Sequence, residues 1–182
     1  HKDISPSNLH WGSDGSRLIN EWGFSAGIDC EGKIDGVNSF KFHGKPMGPY
    51  LSYLQQQGVL ETHLSEHENR QAHSNAYTTA LPDHAYCDNW VAERGLDLLD
   101  RAPTDRPWHM VVNFVGPHAP MDITETMRSK CNNMVIPQPH NPFMPAKENT
   151  GRARRNYAAM IENIDRLTGS FVEKVKNRGE YD

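Results

Sequence analysis

No apolar run in this 182-residue sequence comes near the roughly 20 residues that a helix needs to cross a bilayer, so a helical membrane span is excluded. Cysteine is scarce. Cys30, Cys87 and Cys131 are far apart and odd in number, which fits neither a disulfide framework nor a zinc site and leaves at most one bridge. Positive charge is not in excess: the formal balance of −4 gives no reason to expect nucleic acid or an anionic membrane as partner. The chain opens on His1-Lys2-Asp3, without an initiator Met or a signal peptide, as expected where processing or fragmentation has removed the true start. What is present is globular. Hydrophobic residues at 36% and charged residues at 23% belong to a folded domain rather than a disordered segment, and the length suffices for one domain with a core. Ten histidines are many for this size; polar surroundings put most of them on the surface and leave a minority for chemistry.

Residues 1–49 are rich in Gly, Asp, Asn and Ser with interspersed aromatics, a composition that predicts loops and short strands rather than a long helix. Gly48-Pro49 opens a short helix over 50–57, closed by Gly58. The polar stretch 61–75 is either helical or a loop excursion. A clearer helix starts at Pro82-Asp83, with Cys87, Val91, Leu98 and Leu99 on one face, and stops before Pro103. The run Trp108-His109-Met110-Val111-Val112-Asn113-Phe114-Val115, bounded by Pro107 and Gly116-Pro117, has the pattern of a strand buried on both faces in the parallel centre of an α/β sheet. A small helix over 124–130 and a Pro-rich coil over 137–145 come next. The last element is a long amphipathic helix of roughly 25 residues, about 38 Å, whose apolar face is expected to carry Tyr157, Ile161, Ile164, Thr168, Phe171, Val172 and Val175. Lys174, Lys176 and Arg178 suit its C-terminal dipole and Gly179 stops it. Helix, buried strand, long helix: the order predicts a layered α/β architecture.

Ligands of open α/β sheets collect beyond the carboxyl ends of strands. The predicted strand runs there into Gly116-Pro117-His118-Ala119-Pro120-Met121-Asp122. Two prolines restrict the backbone around His118, which holds the imidazole ready to donate a hydrogen bond to an anion or a leaving group. The alternative is a turn whose histidine faces water. A second pattern, His63-Leu64-Ser65-Glu66-His67, fits H-x-x-E-H, in which His63 and His67 one turn apart would share a zinc with Glu66 as general base. Against it stand chance in a histidine-rich chain and a polar context without an apolar back face to anchor such a helix.

The segment 114–120 with its apolar lead-in resembles the Pro-His-x-Pro loop of sulfatases, in the alkaline-phosphatase superfamily. The run Tyr157-Ala158-Ala159-Met160-Ile161-Glu162-Asn163-Ile164-Asp165-Arg166-Leu167-Thr168-Gly169, with Gly179-Glu180-Tyr181-Asp182 after it, resembles the family's next landmark, the long helix that ends in Gly-x-x-Asp. At the amino end, His1-Lys2 is similar to the end of the family's substrate-binding strand. His10-Trp11-Gly12, Trp22-Gly23-Phe24 and Gly27-Ile28-Asp29 are similar to the segment just after that strand. The similarity covers nearly all of 1–182, as the middle part of a single catalytic domain, a mixed or parallel sheet with helices on both faces.

What the resemblance implies is a mechanism of which the chain holds one part. Sulfatases attack sulfur with a formylglycine made from Cys or Ser inside Cys/Ser-x-Pro/Ala-x-Arg, and none of the three cysteines has that context. Calcium ligands, a carboxylate pair and a Ser-Asp-His/Asn-Gly segment, are likewise expected outside the chain; oxygen ligands suit a hard cation that neutralises the sulfuryl oxygens. The chain contributes His118 as the loop histidine beside the leaving oxygen, catalytic and substrate-binding, with His1 as a further substrate contact. Asp165, Asp88 and Asn89 are expected to be structural, and Arg152, Arg154 and Arg155 a solvated helix start. The implied substrate is a sulfate ester, on the subset resembled one carried by a carbohydrate, and exported enzymes of this kind are periplasmic or secreted. Phosphodiesterases and phosphonate hydrolases of the superfamily, or a non-catalytic relative, are the competing readings. Without nucleophile and metal ligands, the isolated chain is expected to be inactive toward an aryl sulfate even with calcium. Calcium-stimulated turnover by the pure 182-residue chain would overturn that expectation.

Overall fold

Glu31, in the loop-rich amino end, fixes the start of the second helix. Its carboxylate accepts the backbone N–H groups of Tyr50 (3.3 Å) and Leu51 (2.9 Å), two of the donors that the start of a helix leaves unpaired. Pro49 supplies the first helical position. A Cβ on Gly48 would lie 2.3 Å from the Glu31 Oε2, so only glycine there admits the carboxylate. The result is helix α2, Pro49–Gln56, preceded by α1, Ile34–His43.

The computed structural model describes residues 9–68, 76–137 and 150–181. Among them the order continues with α3 (Leu60–Glu68), strand β1 (Ala76–Thr78), a single 3-10 turn (Asp83–Ala85), α4 (Cys87–Asp100), β2 (Met121–Ile123), α5 (Glu125–Cys131) and α6 (Thr150–Asn177). Most of the Pro-rich coil, His1 and the end of the 61–75 stretch lie outside the described residues. The chain is helix-rich with a small parallel sheet: β1 pairs with β2 in the register Ala76 to Met121, Tyr77 to Asp122, Thr78 to Ile123.

The short helices and the long one stand where the pattern predicted them, with three corrections. Helix α1 was not expected in the loop-rich first third. It buries Gly36, Val37 and Ser39, too small and too polar a face to produce a hydrophobic period, and it ends on left-handed Gly44 at φ 68°. Second, α6 is rotated relative to its apolar stripe. Its buried residues are Asn156, Ala159, Met160, Asn163 and Leu167, whereas Tyr157 and Ile161 are 44% and 47% exposed. Backbone carbonyls decide the rotation: Asn156 Nδ2 donates to Tyr77 O (3.1 Å) and Met121 O (2.6 Å), strapping the helix across both strands. Small Ala159 and Gly95 then allow close approach; a Cβ on Gly95 would meet the Phe171 ring at 2.8 Å.

The third correction concerns residues 108–115, which form no strand among the described residues. From 108 to 113 they alternate between partly buried and exposed, and Val111 is half exposed. The alternation is that of a strand, but no other described segment offers it a backbone ladder, and burial on both faces is absent.

Two hydrophobic clusters result among the described residues. Val37, Tyr50, Leu51, Leu54, Leu60, Leu64, Leu81 and Trp90 join α1 to α4. Tyr86, Ile123, Met127, Cys131, Ala159 and Met160 join β2, α5 and α6. Each large side chain so buried stabilises the fold by about 1.5–3 kcal/mol. At the far end, Arg178 donates to Leu99 O (2.9 Å) and Ala102 O (3.0 Å), fastening the end of α6 to that of α4.

Between the clusters lies a buried ion pair. Lys33 Nζ contacts Asp122 Oδ1 at 2.7 Å, with side chains 2% and 4% exposed. Lys33 also reaches the Tyr86 hydroxyl (3.3 Å), and that hydroxyl donates to Asp122 O (3.0 Å). Burial opposes the charge on Lys33, but attraction by Asp122, with Tyr86 and Asp88 adding to it, outweighs burial and raises the pKa of the ammonium. Removing one partner strands the other charge. Lys33→Ala is therefore expected to cost about 3–5 kcal/mol in urea unfolding, while Lys33→Met with Asp122→Leu recovers most of that loss.

Candidate active-site loop and its buried frame

The loop that carries His118 is held from both ends. At its start, Asp88 Oδ1 accepts the backbone N–H groups of Val115 (2.7 Å) and Gly116 (3.0 Å). Asp88 sits in the first turn of α4 and is fully buried. Burial raises its pKa, against the pull of Lys33 and of the two amides. A Cβ on Gly116 would stand 2.5 Å from Asp88 Oδ2, so glycine at 116 is a steric condition for the clamp. At the loop's end, Asp122 is locked by Lys33 and Tyr86. Buried polar groups thus frame the 116–120 segment along the chain, Asp88 before it and Lys33 with Tyr86 and Asp122 after it.

His118 itself is exposed. The peptide bonds to Pro117 and Pro120 are both cis, and the His118 N–H turns back to Val115 O at 3.4 Å. Its Nδ1 lies 2.7 Å from Ala119 O. A carbonyl oxygen only accepts, so Nδ1 carries the hydrogen of that bond and Nε2 is the atom offered outward. In the neutral ring Nε2 presents a lone pair; in the imidazolium it presents a proton. Contact with an anion or protonation of a leaving oxygen therefore requires the imidazolium at this place.

Among the described residues, none of the other expected participants is joined to His118 by a hydrogen bond or ion pair. His1 lies outside the described residues. Asp165 is exposed on α6, in keeping with a structural role. Arg152 is exposed, and Arg154 bonds the carbonyl of Pro137. The cysteines are free. Burial pushes the Cys30 thiol up to about 12 and raises Cys87 and Cys131, so all are protonated and none is poised as a nucleophile. The described residues contain no group of three or more His, Cys, Asp or Glu able to hold a metal. The buried carboxylates are committed to amides or to Lys33, so they do not fit calcium.

The His63 and His67 pair stands one turn apart on α3, with ring centroids 4.3 Å apart. Both residues are buried, and His63 packs edge-on against Tyr50 at 5.6 Å. Glu66 points elsewhere: it accepts from Thr79 Oγ1 (2.6 Å) and the Ala80 N–H (2.7 Å), capping the turn after β1. With Glu66 so engaged, the zinc-hydrolase reading loses its general base, and the pattern is a packing motif.

Nothing in the sequence marks Lys33, Asp88, Tyr86 and Asp122 as parts of one site. The signals present were an Asp between apolar Met121 and Ile123 and an Asp in a helix's first turn. Neither indicates its partner, since 89 positions separate Lys33 from Asp122.

The family model described as sulfatase matches residues 36–182, which takes in most of α1, all of α2 through α6, the 116–120 loop and three members of its frame. The chain belongs to the sulfatase family. No curated protein matches it. The sulfatase match begins inside α1, so the His-Lys and Trp-Gly similarities of the first thirty-odd residues fall outside the matched span. Within the span lie both landmarks that carry the resemblance, the loop around His118 and the long helix of this sulfatase domain.

Burial, reinforced by His67 and Lys33 and opposed by Asp122, lowers His63 to about 3, whereas an unfolded chain protonates histidine near 6.5. The unfolded state then binds the extra proton, so the contribution is intact above about pH 6.5 and is lost progressively down to about 3. Buried Glu31 and Asp88, whose folded pKa values are raised, act with the opposite sign, but in the carboxylate range. Between pH 6.5 and 5, stability of the sulfatase chain should fall by about 1–2 kcal/mol. His63→Phe should flatten that slope in urea titrations, and an unchanged slope would assign it elsewhere.

Proposed function

We propose that this sequence is the part of a sulfuric ester hydrolase that protonates the leaving group. The observation that carries the reading is the clamp of Asp88 on the two amides before Pro117, which presents an exposed His118 whose Nδ1 is already engaged. In the reaction the bond between sulfur and the ester oxygen breaks, and that oxygen leaves as an alkoxide unless it is protonated. The imidazolium of His118 gives its Nε2 proton to the departing oxygen and, before that, balances the negative charge of the sulfuryl group. A donor in that position is worth about 10²–10⁴ in rate. Asp88 and Gly116 position the loop; Lys33, Tyr86 and Asp122 hold its exit.

The family's formylglycine and calcium would supply the attacking oxygen and charge neutralisation, from segments outside this sequence. A sulfated carbohydrate is the substrate class favoured by the landmarks at the amino end, with His1 as a further contact. A layered mixed sheet would need strands from outside the described residues to pair with the strand-like alternation of 108–115, and α4 and α6 would then cover its faces.

The leaving group tests the assignment. In the complete enzyme, His118→Ala should lower kcat for an alkyl sulfate by about 10²–10⁴. The loss should be much smaller for 4-nitrophenyl sulfate, whose phenolate departs without a proton. Equal losses on both esters would show that His118 is not the proton donor.

A further inference from the structure

Arg166 is held in an unusual way. Its Nη2 donates to Asn163 Oδ1 at 2.7 Å and lies 3.5 Å from Asn89 Oδ1. Asn163, buried, donates its own amide to Asn89 Oδ1 (2.8 Å), and Asn89 Nδ2 donates to Asp83 O (2.8 Å). A relay of amides from the 3-10 turn through α4 to α6 thus orients the guanidinium. No carboxylate among the described residues pairs with it, although the ends of α4 and α6 carry several arginine and lysine ion pairs.

Neutral acceptors orient an arginine without cancelling its charge. Nε and Nη1 are left free of these contacts, and with Nη2 already held by Asn163 less side-chain entropy is left to lose when the guanidinium binds an oxyanion. Arg166 borders a cleft of about 380 Å³ between the turn, α5 and α6, lined also by His84, Asp83, Thr126 and Lys130. Lys130 adds a second cation, shared with Glu162 at 3.2 Å. Asp83 adds an acceptor that repels a bare anion but welcomes a hydroxyl. The volume fits a single sugar-sized molecule rather than a polymer segment.

We propose that this cleft binds a hydroxylated anion, a sugar ester of sulfate or phosphate, with its oxyanion on Arg166 and Lys130 and its hydroxyls on Asp83. None of these residues belongs to the His118 loop. One helical turn nevertheless joins the two places: Asp88 clamps the loop while its neighbour Asn89 orients Arg166. The inference goes beyond the leaving-group role of His118 and is read without turnover, so either can fail alone.

The test is a titration of the full chain, monitored through the side-chain resonances of Asn89, Asn163 and Arg166 at constant ionic strength. The probes are glucose 6-sulfate, glucose 6-phosphate and inorganic sulfate. Saturable shifts are expected with at least one of the sugar esters, at least threefold tighter than with inorganic sulfate, and their order tells a sulfated from a phosphorylated source. Arg166→Gln, a change at an exposed position, should weaken binding at least tenfold, and Lys130→Gln a few fold, with the rest of the spectrum intact. No saturation, binding indifferent to Arg166→Gln, or inorganic sulfate bound as tightly as the sugar esters would overturn the proposal. The amide relay would then be a tether between helices and nothing more.

Discussion

An ammonium and a carboxylate buried 2.7 Å apart tolerate almost no alternative arrangement. Desolvating either charge alone costs several kcal/mol, so Lys33 and Asp122 must enter the interior together, with the Tyr86 hydroxyl completing their hydrogen bonds. That requirement ties together the residues before α1, the entry of α4 and strand β2. The position of β2 in turn sets the exit of the histidine loop, and through Asn156 it sets the rotation of α6. Hydrophobic burial supplies most of the stabilisation on either side of the pair, but it is indifferent to small rotations. The polar contacts choose among them.

The same logic separates what was legible in the sequence from what was not. Helices α2, α4, α5 and α6 arise from local signals: Gly48-Pro49 and Gly58, the turn at Pro82-Asp83, Thr124 as a cap whose side chain accepts from Met127 N, and a long apolar period closed by Gly179. Those signals act within a few residues, so they survive in any reading of the chain. The face that α6 buries was not legible, because carbonyls on two strands outweigh the apolar stripe in setting its position. Residues 108–115 look like a strand locally, but a strand exists only through its partners.

The candidate site was half legible. The proline-flanked His118 stood out by its chemistry, and the family similarity around it by its motif. The buried frame was hidden because each member has an ordinary local explanation: Asp88 as a helix-start carboxylate, Lys33 as a residue of a polar loop, Asp122 as a polar position in an apolar run. Their role lies in pairings across 27 to 89 positions. The histidine pair of α3 failed in the opposite direction. Its spacing suggested a metal, yet its rings are core, with Glu66 turned to the neighbouring turn.

The steric relation between Gly116 and Asp88 bears on how such a loop can be moved or altered. Because the carboxylate occupies the space where a side chain at 116 would begin, the two positions form one unit divided between a helix and a loop. Transplanting the histidine with its flanking prolines into another scaffold would transfer the sequence but not its aim. A faithful graft has to bring the first turn of α4 with it.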